Sequence, residues 1–224
     1  MKDTALLIYS WDKAEILWKT TVAGLNKYWN DNPYPIYFIT NFKDAPIGTT
    51  IKTGADTHWG AMVKKALSLI PESVIIWTCE DFWLNGKVDT KTIQKYSDYI
   101  KTNKADYIKL TPSYEAQGDV DFDSNLSIIP EGAKFRTSLG PSMWRKSLFE
   151  KLILPEETIW NFENHSAKRL TPQNKMYASK TRDFLTPFLD GTKIYKEQIQ
   201  RQGVVQDEMA KLYCSIEGFE DYDK

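Results

Sequence analysis

Ser73-Val74-Ile75-Ile76-Trp77-Thr78-Cys79-Glu80-Asp81-Phe82 is the stretch on which the fold turns. Ser73 to Thr78 is the most strand-like segment of the chain, with Val74 to Trp77 an unbroken apolar run that follows Pro71-Glu72 and gives way to Glu80-Asp81. A strand with one wet face would alternate apolar and polar residues. An unbroken run suits a strand covered on both faces, as in a parallel sheet. Two adjacent carboxylates at the end of a buried strand are costly to desolvate without a cation, a partner or water.

Upstream, His58 to Ile70 reads as a helix with Met62, Val63, Ala66, Leu67 and Ile70 on one face. Ile51-Lys52 reads as a short strand, and Ile36 to Thr40 as a longer one ending at Asn41. Lys13 to Trp29 carries apolar residues at helical spacing and is stopped by Asn32-Pro33-Tyr34-Pro35. Ala5 to Tyr9 is a further buried strand, closing at Ser10-Trp11-Asp12. Strand, helix, strand in that order implies a right-handed crossover and parallel pairing.

Downstream, Thr90 to Lys101 reads as a helix and Asp106 to Leu110 as a strand. Thr111 to Ser127 is polar and irregular, and is expected to loop over the site. Lys134 to Gly140 and Ser142-Met143-Trp144 are expected as antiparallel strands, Lys146 to Leu152 as a helix, and Trp160 to Lys168 as one or two helical turns. An amphipathic helix is expected over Tyr195 to Gln202, and a frayed acidic tail over 217–224.

The expectation is an α/β fold with a mostly parallel central sheet and helices on both faces. A length of 224 residues suits one domain. A net charge of −1 gives no general attraction to nucleic acid, so no nucleic-acid partner is expected. Two cysteines, Cys79 and Cys214, are too few for a disulfide framework, which points to a reducing cytoplasm. No signal-peptide pattern opens the chain, and no apolar run approaches the roughly 20 residues of a membrane helix. The expectation is a soluble protein able to work at the inner face of a membrane.

In open α/β sheets, ligands bind beyond the carboxyl ends of the strands. Three such ends matter here: Tyr9 to Asp12, Thr40-Asn41 and Cys79 to Phe82. At the last of these, a divalent metal carrying a diphosphate is one natural partner for the paired acids, because Mg²⁺ or Mn²⁺ combines one or two carboxylates with phosphate oxygens. A turn-capping Asp81 beside a solvated Glu80 would look the same in sequence. A second acid, Glu163, lies in Trp160-Asn161-Phe162-Glu163-Asn164-His165, among aromatics, amides and one of only two histidines. Such a carboxylate can serve as a general base when it lies within hydrogen-bond reach of a hydroxyl. A surface Glu on a short helix is the plainer alternative.

The segments ALLIYSWDK, NPYPIYFITN, HWGAMVKKALSLI and SVIIWTCEDFWL together resemble bacterial surface-polysaccharide glycosyltransferases with a GT-A fold. RTSLGPSMWRKSLFEKL and ETIWNFENHSAKR resemble the acceptor half of that group. The resemblance implies a single GT-A-like domain, with a nucleotide-sugar half over about 1–110 and an acceptor half over about 111–200. It implies transfer of a sugar, from a UDP-sugar above other donors, to a hydroxyl of a glycan or lipid-linked acceptor in polysaccharide synthesis. Tyr9, Ser10 and Trp11 would line the nucleotide, Asn41 would read base or ribose, and Trp59 with Lys64 or Lys65 would meet ribose and diphosphate. Glu80, Asp81 and Phe82 would form the donor turn, with Mn²⁺ or Mg²⁺ on Asp81 and Glu80. That turn reads Cys79-Glu80-Asp81 where the group usually carries Asp-X-Asp. Glu163 would be the base of an inverting transfer. Arg136, Ser138, Trp144, Trp160 and His165 would contact the acceptor, with Lys168-Arg169 and Lys180-Arg182 adding positive charge.

Two other classes share these features. A sugar nucleotidyltransferase would carry a Gly-rich loop after the first strand, where this chain has Ser10-Trp11-Asp12-Lys13. A non-catalytic carbohydrate-binding protein would use the 8 Trp, 12 Tyr and 10 Phe for stacking and leave the acids idle. Slow donor hydrolysis separates an enzyme from a lectin.

Overall fold

The computed structural model describes residues 3–55, 58–84 and 86–181. The helix expected at Tyr195 to Gln202, the tail at 217–224, Arg182 and Cys214 lie outside the described residues. Within them, eight strands form one sheet: β1 (Thr4–Tyr9), β2 (Ile36–Thr40), β3 (Thr49–Lys52), β4 (Val74–Cys79), β5 (Tyr107–Lys109), β6 (Leu126–Ile128), β7 (Ser142–Arg145) and β8 (Met176–Ser179). The order across the sheet is β3-β2-β1-β4-β7-β5-β8-β6. β2 and β4 flank β1 in parallel, while β7 runs antiparallel to both β4 and β5. β8 is parallel to β5, and β6 antiparallel to β8. The sheet is thus mostly parallel, with six strands pointing one way and β6 and β7 the other.

Five α-helices among the described residues cover it: α1 (Glu15–Tyr28), α2 (Trp59–Leu69), α3 (Thr90–Lys101), α4 (Lys146–Leu152) and α5 (Ile159–His165). Every residue of β4 is buried, as its unbroken apolar run requires. Alternate side chains feed two cores. Ile75, Trp77 and Cys79 pack with residues of α2, α4 and α5, and Val74 and Ile76 with residues of α1 and α3. The first core is aromatic: Trp144 stacks on Phe149 at 4.6 Å, and Trp77 meets Phe149 edge-on at 5.3 Å. Aromatic pairs in such geometries add to the area they bury.

The expected strand at Lys134 to Gly140 does not form. β7 lies between β4 and β5, so neither of its edges is left to pair with a hairpin partner. Residues 134–137 turn instead: Phe135 adopts φ +53°, and the Ser138 N–H donates to the Phe135 carbonyl. The stretch Thr111 to Ser127 is only partly a loop, because it contains the start of β6. Its later half packs on α3, where Phe122 meets Tyr99 at 4.8 Å and Asp123 pairs with Lys95. No helix among the described residues is long and apolar enough to cross a membrane.

Candidate active site at the carboxyl edge of the sheet

The ends of β1, β2 and β4 lie side by side, because β1 sits between the other two. Tyr9 is opposite Cys79 in the register, and the Glu80 N–H continues the ladder to the Tyr9 carbonyl. Across the next gap a polar clamp fixes the chain. The Asp12 carboxylate accepts the backbone N–H groups of Asn41 (2.9 Å) and Phe42 (3.0 Å), and the Asn41 side chain accepts the Asp12 N–H and donates to the Gly54 carbonyl. Asn41 therefore holds β2 to the 3-10 turn Asp12–Ala14 that opens α1, and its amide is engaged with backbone instead of open to a base.

The acidic turn is held through its backbone. The Glu80 carbonyl accepts from the Thr21 hydroxyl at 2.8 Å and from the Trp83 indole at 2.9 Å. Glu80 is only 6% exposed, while Asp81 reaches solvent. Burial, reinforced by the Asp81 charge, holds the Glu80 carboxyl well above the usual carboxylate range. Crowding by surrounding protein raises Asp81 as well. Among the described residues no lysine or arginine pairs with either acid. Nor do three or more His, Cys, Asp or Glu side chains gather there as a ready-made metal site. Two adjacent, unneutralised carboxylates, one open to solvent, fit a hard divalent cation that takes its remaining ligands from phosphate and water.

The second half of the site comes from α5 and from the segment that leads into β7. Thr158 caps α5 by accepting the Asn161 N–H, and Glu163 follows one turn later. Oε1 of Glu163 accepts the Leu139 N–H at 2.7 Å and the Ser138 hydroxyl at 3.2 Å. Leu139 is itself tethered to the sheet, its carbonyl accepting the Trp77 indole N–H at 2.9 Å. Glu163 is half-buried, and its negative charge reaches both banks: it helps raise the Cys79 thiol at the acidic turn and the Tyr107 hydroxyl in β5. The first cause in both cases is burial. Glu163 also favours the charged form of Lys109 at the end of β5, against the burial that lowers that amine. Lys109 went unnoticed in the sequence. Its signal was a lysine near the end of the apolar strand DYIKL, level in the register with Trp77.

The structure thus brings Tyr9, Phe82, Glu80, Asp81, Ser138 and Glu163 to one edge, and it adds Lys109. Trp11 also sits there, half-buried under the Lys13 ammonium. Other expected residues are placed elsewhere. Ser10 is fully buried, accepting the Trp18 indole N–H at 2.7 Å. Trp59 is a core residue packed on Phe162 at 5.1 Å. Lys64 donates to the Glu150 and Ile153 carbonyls, where it caps the C-terminus of α4. Lys65 is bonded to the Thr53 carbonyl. Trp144 is wholly buried, its indole N–H on the Ser142 hydroxyl. The polar atoms of Ser10, Lys64 and Trp144 are engaged within the protein, whereas Trp59 keeps a buried indole N–H with no partner among the described residues. Trp160 (62% exposed) and His165, bonded to the Asn161 carbonyl, stand on the outer surface of α5. Arg136 is buried beside Glu163 in a cavity treated below.

No protein-family model matches the sequence, and comparison with curated proteins finds no match either. Solved structures do match in fold. TarS of S. aureus (residues 1–349, in complex with UDP) superposes with a TM-score of 0.55 at 10% identity, over 82% of this chain and 59% of that one. The mannosyltransferase PcManGT from Pyrobaculum calidifontis, in complex with GDP-Man and Mn²⁺, gives 0.54 at 10% identity, over 94% and 64%. This chain spans less than two thirds of either solved chain. What the likeness shows is the architecture: the described residues form a GT-A-like α/β fold shared with TarS and PcManGT.

Proposed function

We propose that the protein is a glycosyltransferase that moves a sugar from a nucleotide-sugar donor to a hydroxyl of a glycan or lipid-linked acceptor. The carrying observation is that the Glu80-Asp81 turn closes β4 while Glu163 is bonded to Leu139, which is itself tethered to Trp77 of the same strand. That edge is where α/β sheets bind nucleotides. The fold is one on which UDP, UDP-GlcNAc and GDP-Man are bound by other proteins. A UDP-sugar donor and a role in surface-polysaccharide synthesis are the readings we favour.

In this reading Tyr9 and Trp11 wall the nucleotide, and Asp81, ahead of Glu80, holds a divalent cation. When bound, Mn²⁺ or Mg²⁺ would neutralise the departing diphosphate. Lys109 adds a positive charge beside Glu163. Glu163, with one oxygen held by Leu139 and Ser138, keeps the other to take the acceptor proton as the hydroxyl attacks the anomeric carbon. One base on the side opposite the leaving group gives inversion.

A panel of nucleotide sugars, melted with and without Mn²⁺, should contain at least one that stabilises the protein. No shift with any nucleoside diphosphate or its sugar would sink the reading. Glu163→Gln should lose transfer by about 10²-fold or more while donor affinity stays unchanged. Turnover retained by that variant would remove Glu163 as base.

A further inference from the structure

Beside Glu163 opens a cavity of about 520 Å³, walled by Glu131 to Arg136 and by Asn164, Ala167 and Lys168. Two features of it point to a ligand. Arg136 is 7% exposed and its buried Nε has no partner. No carboxylate or carbonyl among the described residues accepts from its guanidinium. Glu131 favours its charge only from a distance, while burial disfavours it. The other two described arginines have partners: Arg145 is bonded to Asp106 and to the Ile100 and Ala105 carbonyls, and Arg169, though its Nε is also unpartnered, grips both oxygens of Glu157. A buried, unpaired guanidinium is unfavourable until an anion reaches it. The second feature is Phe135, a non-glycine residue at φ +53° that is 53% exposed and lines the same cavity. Such backbone strain persists where surrounding structure enforces it, often at ligand sites.

We propose that this cavity is a subsite for an acidic acceptor, in which Arg136 binds an oxyanion of the glycan and Phe135 stacks against a sugar ring. Lys168 at the rim adds charge, and Glu163 on the shared wall puts the proton acceptor beside the bound glycan. The oxyanion belongs to a phosphate ester or to a uronate carboxylate, since a planar guanidinium grips either through two N–H groups. The placement of the acceptor hydroxyl rests on the glycosyl-transfer reading, whereas the oxyanion site stands on Arg136 alone.

The test is calorimetric titration of inorganic phosphate, glucuronate and neutral glucose into the protein with UDP saturating, which removes any phosphate signal from a nucleotide site. Phosphate or glucuronate should bind and glucose should not. Arg136→Met should weaken the anion about tenfold or more, Arg136→Lys less so, and Lys168→Gln by a smaller factor, with UDP affinity unchanged. Arg136→Met should also melt no lower than wild type without anion, since it removes an unpaired buried charge. Whichever anion binds names the charged group of the acceptor. Failure of both anions to bind, or affinity unchanged in Arg136→Met and Lys168→Gln, overturns the subsite. A marked fall in the melting temperature of Arg136→Met also overturns it, because Arg136 would then be structural. If phosphate binds through Arg136 while no nucleotide sugar binds at all, the transferase reading falls and the oxyanion site stands.

Discussion

At the scale of single residues, the strongest chemical signal is the pair Glu80 and Asp81. Both carboxyls are raised in the folded protein, so the folded state holds their protons more tightly than the unfolded chain. Stability from this source is present at low pH and is lost as pH rises through the raised values. Asp123 acts with the opposite sign, because Lys95, Tyr99 and the Asn125 N–H lower its carboxyl despite its burial. A difference measurement isolates the turn. Asp81→Asn should gain melting temperature relative to wild type as pH rises from about 4 to 8, and Mn²⁺ should narrow that gap by stabilising wild type alone. A constant difference across pH would mean that burial does not raise the carboxyls of this turn. Asp12 makes a second prediction at this scale. Its loss leaves the Asn41 and Phe42 N–H groups unpaired, so Asp12→Ala should cost about 1–3 kcal/mol in denaturant unfolding. The sequence marked Asn41 at a strand end, but not that a side chain 29 residues earlier would occupy its backbone.

At the scale of elements, the position of α5 decides whether Glu163 can act. The chain entering α5 is seated on α2 at Gly60, whose N–H donates to the Glu157 carbonyl. A Cβ at Gly60 would lie 1.9 Å from the Leu154 carbonyl oxygen, so backbone would have to move. Gly60→Ala should therefore destabilise by about 1–3 kcal/mol and lower turnover more than donor affinity, since the donor turn belongs to β4. Equal losses in both would place Gly60 outside this role. Helices and long strands were legible from periodicity: α3 and α4 occupy the residues that the sequence predicts. β6 and β8 were not. They are three and four residues long, and they exist because β5 offers an open edge to β8, and β8 in turn to β6. No local pattern carries that information.

At the scale of the whole molecule, the two cores share a single sheet, with Phe82 packed against both. Unfolding one face exposes the other. Backbone and aromatic circular dichroism should then melt at one midpoint, and Trp77→Ala, at the centre of the sheet, should lower both together by about 3–5 kcal/mol of stability. Separate midpoints would show that the two faces fold independently. The sequence by itself determined the α/β class, the parallel start of the sheet and the importance of the turn after Cys79, because burial on both faces writes an unbroken apolar run and a strand end writes an abrupt polar one. Only the tertiary structure decided which candidates share a cleft. It withdrew Ser10, Trp59, Lys64 and Trp144 into packing, and it set Glu163, Lys109 and an unpaired Arg136 around the same edge. The reason is physical: whether a polar side chain is spent or free depends on partners tens of residues away, and spacing along the chain does not encode them.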